Sequence, residues 1–390
     1  MSAATLHFVL PDGVDDPARP SGGNRYDRRV SDGLVALGWS VREHKVPGCW
    51  PHPTGSDLDA LAAVLDCGSE EKSGNSSAGI SIGTSATGSD KSIEYDVILI
   101  DGLIASAAGN LVAEVARGRP VVTLIHMPFG SINAELRQSE ERMVRSVAGA
   151  VVTSQWTARY LVGMYGLDSG RVFVIPPGVD PAHPATRQAD GGRLICVAAV
   201  THAKGYDVLL SALADIGSRP GLVRHPWRCT CVGALNVEPE AAARFQVAMR
   251  SRSLADRVHF SGPLTGAALD AAFGAADLLV LPSRSETWGM VITEALARGI
   301  PVVASDVGGV PEALGVAPDG SRPGILVPAA DPLALADAVE RWLTDPDERS
   351  RLRHAASARR ATLASWSQSA QLLSAATSAA SRGFATDASR

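Results

Sequence analysis

Short apolar runs alternate with longer amphipathic stretches from one end of the chain to the other. The first half carries Thr5 to Leu10, Ser40 to Val46, Tyr95 to Asp101, Pro120 to Ile125, Ala150 to Thr153 and Arg171 to Ile175. The second repeats the rhythm with Arg193 to Val200, Arg228 to Gly233, Arg257 to Ser261, Asp277 to Pro282, Pro301 to Ser305 and Gly324 to Val327. Runs of this length bounded by helical patterns predict βαβ units, so each half is expected to form one doubly wound α/β sheet of parallel strands. The rhythm breaks at Ile175-Pro176-Pro177-Gly178-Val179-Asp180, where paired prolines and a glycine cannot continue regular structure. A domain over 1–177 and a second over 178–366 follow. Residues 367–390 are Ala- and Ser-rich, preceded by Trp366 and carrying Leu372 and Leu373. They predict a C-terminal helix, with packing back on the first domain as one option, then a tail; periodicity alone leaves its packing open.

Composition narrows the class. A chain of 390 residues is long for one hydrophobic core and suits two. With 45% hydrophobic and 20% charged residues it is a globular chain, whereas Gly68 to Ser92 is dominated by Ser, Gly and Thr and reads as a low-complexity surface insertion. A net charge of -5 supplies no polybasic field, so nucleic acid is not an expected partner. Arg349, Arg351, Arg353, Arg359 and Arg360, interleaved with Glu348 and His354, read as a solvated helix face rather than a membrane surface. Met1 to Leu10 lacks a basic n-region and no apolar stretch is long enough to span a bilayer, so a cytoplasmic protein is expected. The five cysteines, Cys49, Cys67, Cys196, Cys229 and Cys231, lack metal-ligand spacing and read as reduced thiols of the core.

Candidate chemistry concentrates in Ser283-Arg284-Ser285-Glu286-Thr287-Trp288-Gly289-Met290-Val291-Ile292-Thr293-Glu294-Ala295, directly after an expected strand. Gly289 lets the backbone approach a ligand, and the amides of Met290 and Val291 are free donors at a helix start. Glu286 and Glu294 would face the same mouth. A bland alternative has equal weight on local evidence: Glu286 caps the helix and Glu294 is a surface charge. Lys204, before Gly205 and a helix, suits a diphosphate but equally an ordinary exposed lysine. Gly22 and Gly23 in Ser21-Gly22-Gly23-Asn24 read as a loop ahead of a helix over Val30 to Leu37, facing phosphate across a cleft; most such pairs are simply turns. His126 ends a strand, where open sheets bind ligands, although a lone histidine there is more often structural. Asp57-Leu58-Asp59 has metal-binding spacing yet lies within an expected helix and reads as chance. Neither a Gly-x-x-x-x-Gly-Lys-Ser/Thr nor a Gly-x-Gly-x-x-Gly motif follows a strand, which removes the main support for ATPases and dehydrogenases.

The segment Glu286 to Glu294, continued by Gly299-Ile300-Pro301-Val302-Val303-Ala304 and Gly308-Gly309-Val310-Pro311-Glu312, with Ile175 to Asp180 and Lys204-Gly205 upstream, resembles glycosyltransferase family 4. The resemblance implies the GT-B fold, two Rossmann-like domains facing an interdomain cleft. It implies a retaining hexosyltransferase that takes a sugar from a UDP- or GDP-sugar to a hydroxyl of a small-molecule, glycan or lipid acceptor, with no metal and no cofactor beyond the nucleotide-sugar co-substrate. By similarity, Glu286, Lys204 and His126 are catalytic. Gly22, Gly23, Lys204, Glu286, Gly289, Met290 and Val291 surround the donor, and Glu294 takes its ribose. The family pattern has an arginine five residues before the lysine; Ala199 is there instead. That departure keeps one alternative open, a nucleotide-sugar-binding protein of the same fold that has lost catalysis; a sugar epimerase of the fold would bind the same donors, but the full Glu286 to Glu294 segment argues against it.

Overall fold

The computed structural model describes residues 5–16, 21–70, 96–131 and 133–388. Among them, the first half holds β1 (Thr5–Pro11), α1 (Gly22–Ala36), β2 (Ser40–Val46), α2 (Gly55–Glu70), β3 (Val97–Asp101), α3 (Gly102–Ala107), α4 (Gly109–Val115), β4 (Val121–Ile125), α5 (Ala134–Ser146), β5 (Gly149–Val152), α6 (Gln155–Tyr165) and β6 (Val172–Val174). The second holds β7 (Arg193–Val197), α7 (Tyr206–Ser218), β8 (Arg228–Val232), α8 (Pro239–Ser251), β9 (Val258–Gly262), α9 (Gly266–Gly274), β10 (Leu278–Leu281), α10 (Met290–Ala297), β11 (Val302–Ser305), α11 (Val310–Leu314), β12 (Gly324–Val327), α12 (Pro332–Thr344), α13 (Pro346–Arg359) and α14 (Trp366–Ala388).

The strands form two six-stranded sheets, ordered β2-β1-β3-β4-β5-β6 and β12-β11-β10-β7-β8-β9, with parallel pairing throughout, as in β1 with β3 and β10 with β7. Helices cover the sheets, so β3, β4, β10 and β11 are buried at every position, as their predominantly apolar sequences require. Edge strand β2, Ser-Val-Arg-Glu-His-Lys-Val, keeps its polar residues because only Val46 is buried. The order reverses direction beside β1 in one sheet and beside β7 in the other, and such switch points open a crevice at the strands' carboxyl ends.

Three local expectations change. Helix α1 starts at Gly22, eight residues before Val30, because Ser21 is extended and its hydroxyl accepts from the Asn24 amide at 3.0 Å, an N-cap. The glycine pair therefore occupies the first helical turn rather than a loop. The arginines of α13 divide: Arg351, paired with Glu348, and His354 are exposed as expected, but buried Arg349 donates to the carbonyls of Trp342 and Leu343 at 2.8 and 2.9 Å, filling acceptors left open at the end of α12, and Arg353 lies over the Trp342 ring. Cys196, Cys229 and Cys231 are buried, but Cys49 is exposed. Asp57 receives the Thr54 amide at 2.8 Å, a local turn contact. Of the low-complexity insertion, residues 71–92 lie outside the described residues, while 68–70 close α2.

Helix α14 returns to the first sheet. Leu373, Ala376 and Ala380 join Leu6, Phe8 and Leu10 in one core, and Trp39 Nε1 donates to Ser374 Oγ at 2.9 Å. Contact with α1 is close enough that a Cβ on Gly33 would stand 2.4 Å from the Ala370 Cβ.

Candidate active site

The crevice between the sheets is a cavity of about 1230 Å³ whose walls include Gly22, Gly23, His126, Lys204, Glu286 and Gly289 to Val291, with Glu294 at its end. On the second domain, β10 delivers the loop 283–289 to its mouth. Gly289 has φ 85° and starts α10 with no capping side chain, so the helix-start amides keep their donors for a ligand. The loop is pinned from behind: the Gly309 amide donates to the Glu286 carbonyl at 3.0 Å, and a Cβ on Gly308 would stand 1.7 Å from that oxygen. Any larger residue at 308 would push the glutamate out of place. Glu286 then accepts from Lys204 Nζ at 2.6 Å and from Ser283 Oγ at 3.0 Å. Lys204 gets there because β7 ends in a turn closed by Gly205, the left-handed cap of α7.

Glu294, one turn into α10, is buried and meets a residue of the other domain. Arg25 Nη1 donates to Glu294 Oε1, and its Nη2 donates to Asp180 at 2.8 Å. Burial pushes the Glu294 carboxyl up, and Arg25 opposes that shift. Asp180 also holds Arg29 at 2.6 Å. A further tie crosses the domains: Glu312 of α11 accepts the Gln155 and Trp156 amides at 2.7 and 2.8 Å, a carboxylate set on the positive end of α6.

On the first domain His126 follows β4 and lies against α1. Its ring faces Gly23, where a Cβ would stand 3.0 Å from Cδ2, and the Tyr26 ring meets it edge-on at 5.3 Å. Nε2 is 2.7 Å from Asp27 Oδ1 and 3.6 Å from Asp101 Oδ2. Both aspartates are buried. Burial pushes each carboxyl up, to about 8; for Asp101 the neighbouring Asp27 charge adds to it. Two such close carboxyls cannot both ionise cheaply, so the pair holds a proton at neutral pH. Burial lowers the His126 pKa, keeping the ring neutral. With Nε2–H donated to Asp27, Nδ1 is the nitrogen left as acceptor. The three groups have donor atoms within 4.8 Å of one another; the 2.7 Å contact is a hydrogen-bond length.

All the residues singled out from the sequence therefore line one cavity. Three that were not singled out belong to the site: Arg25 lines the cavity, and Asp27 and Asp101 lie buried behind His126. Asp101 ends a strand just as His126 does, a usable signal, whereas Asp27 and Arg25 lie within an apparently ordinary polar helix turn. Ala199 also lines the cavity, beside Lys204.

The two halves match known families separately. Residues 20–183 match Glycosyltransferase Family 4 and residues 184–359 match Glycosyl transferases group 1. The chain belongs to the family 4, group 1 glycosyltransferases and has their GT-B fold. Its relatives include the D-inositol 3-phosphate glycosyltransferases of Pseudarthrobacter chlorophenolicus, 32% identical over 71% of this chain and 69% of that protein, and of Acidothermus cellulolyticus, 33% identical over 66% of this chain. The chain spans 61% of the latter's length. Among solved structures, sucrose-phosphate synthase from Thermosynechococcus elongatus superposes with a TM-score of 0.72 at 21% identity, covering 95% of this chain and 98% of that one. Anabaena HepE in complex with UDP and glucose gives 0.71 at 18% identity, covering 96% and 99%. Among the described residues no helix is long and apolar enough to cross a membrane.

Proposed function

We propose that this chain transfers a hexose-type sugar from a UDP- or GDP-sugar to an acceptor hydroxyl with retention of configuration at the anomeric carbon. The observation that carries this assignment is the convergence of Lys204–Glu286, Glu294, the open start of α10 and His126 on one interdomain cavity. Glu294 accepts the ribose hydroxyls, each carboxylate oxygen being suited to a hydroxyl donor. The amides of Gly289 to Val291 and Lys204 take the diphosphate, with the Gly22 and Gly23 turn facing it from the other domain. Glu286 and His126 Nδ1 hold sugar hydroxyls. As the bond from the anomeric carbon to the diphosphate oxygen breaks, negative charge grows where the lysine and helix-start dipoles already point, which is electrostatic preorganisation. The acceptor oxygen bonds the anomeric carbon on the face the diphosphate leaves, and its proton passes to the departing phosphate oxygen. No step is assigned to a metal. Relatives named for D-inositol 3-phosphate make that the first acceptor to assay, ahead of glycans and lipids.

Calorimetry with UDP, GDP and ADP in metal-free buffer tests the donor site. One nucleotide binding in the micromolar range, about −8 kcal/mol, is expected; no binding of any of them, with or without Mg²⁺, overturns it. Ala199 favours a second reading, a binding protein of the same fold without catalysis. Transfer by the unaltered chain excludes that reading, while nucleotide binding without turnover on any donor and acceptor pair supports it.

A further inference from the structure

We propose that Arg25 is the second cation of the donor diphosphate site, taking the part of the arginine missing at position 199, and that it reaches the phosphates by leaving Glu294 as the donor's ribose arrives. This rests on the donor-site assignment above.

The geometry comes from two helix starts that meet. A Cβ on Gly22 would stand 3.2 Å from Met290 Sδ, so α1 and α10 bring their N-terminal turns face to face across the cleft. About one turn further along each, Arg25 of α1 meets Glu294 of α10. A turn rises about 5.4 Å, so the backbone of Arg25 lies roughly one helical pitch from the start of α1, and both line the cavity onto which the start of α10 also opens, where an anion is best held. A change of side-chain rotamer covers that distance.

The other cations of the cavity are committed. Arg28 is held by Asp15 at 2.7 Å and by Glu43. Arg29 sits on Asp180. Arg298 donates to the Glu294 carbonyl at 2.8 Å, pairs with Asp270 and lies over the Phe273 ring. Lys204 and Arg25 differ from these. Each rests on a carboxylate, Glu286 or Glu294, that the donor's own hydroxyls would claim, and the second contact of Arg25, Asp180 at 2.8 Å, is shared with Arg29.

Donor binding is thus a charge-balanced exchange. Ribose hydroxyls replace Arg25 on Glu294 and sugar hydroxyls replace Lys204 on Glu286, so neither carboxylate is left without a donor. The two freed cations meet the two negative charges of a nucleotide-sugar diphosphate. Asp180 is not stranded, since Arg29 stays on it. Because Arg25 belongs to the first domain and Lys204 to the second, the diphosphate bridges both, an arrangement that an arginine at 199 would not produce.

The test is calorimetry of the full chain and of Arg25→Ala with UDP, GDP and the matching nucleosides. Arg25→Ala is expected to weaken the preferred nucleoside diphosphate about 10- to 100-fold while leaving the nucleoside, which reaches Glu294 without a phosphate, unchanged or tighter. Arg25→Lys should be intermediate, and adding Ala199→Arg to Arg25→Ala should recover diphosphate affinity. If Arg25→Ala, still folded by its thermal transition, binds the diphosphate as tightly as the unaltered chain or more so, Arg25 is only a plug on Glu294 and the proposal falls. If the unaltered chain binds no nucleotide, the donor-site assignment fails first and takes this one with it.

Discussion

The two glutamates of the cleft are held in opposite ways. Glu286 is kept by neighbours of its own domain: Lys204 and Ser283 on its side chain, and the Gly308-Gly309 turn behind its carbonyl. Glu294 is kept by Arg25, which comes from the other domain. One pair is therefore complete before the domains meet; the other exists only when they have met. The same residue type, eight positions away on one motif, is thus a fixed element of one domain or half of an interdomain contact, depending on which domain supplies its partner.

The largest effects should come from the fixed pair. Glu286→Ala and Lys204→Ala are each expected to lower kcat by about 100- to 1000-fold, the size found when one preorganised donor is removed from a developing charge, with the thermal transition nearly unchanged. Should both keep their rate, the site lies elsewhere. Glu294→Ala should instead raise the donor KM about 10- to 100-fold and touch kcat little, because a ribose contact is made equally in ground and transition states. A matching loss of kcat in both glutamate variants would erase the contrast between them.

A smaller and different signature belongs to His126 and its acids. Burial raises the Asp27 and Asp101 carboxyls to about 8, against about 3.9 in an unfolded chain, so between those values the folded chain holds more protons. Its stability contribution is therefore full at acid pH and is lost as pH rises through about 8. Asp101→Asn keeps a donor toward Asp27 but removes the shared proton; denaturation midpoints measured from pH 5 to 9 should lose much of that slope. An unchanged slope would mean that the pair is not the titrating unit. The smallest effect is expected from the interdomain tie at α6. Glu312→Gln should cost about 1 kcal/mol or less in stability and raise the donor KM only a few-fold in steady-state kinetics, since Arg25 still spans the domains.

Much of this architecture was legible before any fold was seen. The apolar runs located the central strands of both sheets because a strand covered on both faces is largely apolar, a local property that survives without knowledge of its neighbours, while polar edge strand β2 was marked by its place in the rhythm. The start of α1 lies earlier than the apolar pattern indicates: Ser21 is a good N-cap residue, but the glycine pair after it conceals the signal, since glycine is a poor helix former in the interior and is tolerated in a first turn. The arginines of α13 read as solvent-facing because charge is a surface signal on average, yet Arg349 is buried by the open carbonyls of the preceding helix. Asp27 could not be told from other polar residues of α1. Its importance comes from Asp101 and His126, which two further strands deliver to it.

What the sequence by itself determined was the repeated βαβ plan, the break between its halves and the glutamate motif after β10, all written in residues close together in the chain. Only the tertiary structure decided which charges are partners. Lys204 with Glu286, His126 with Asp27 and Arg25 with Glu294 are separated by 82, 99 and 269 residues. Ion pairs act over a few ångströms and leave no periodicity, so their choice of partner appears only once the strand ends and helix starts have been brought to the same cleft.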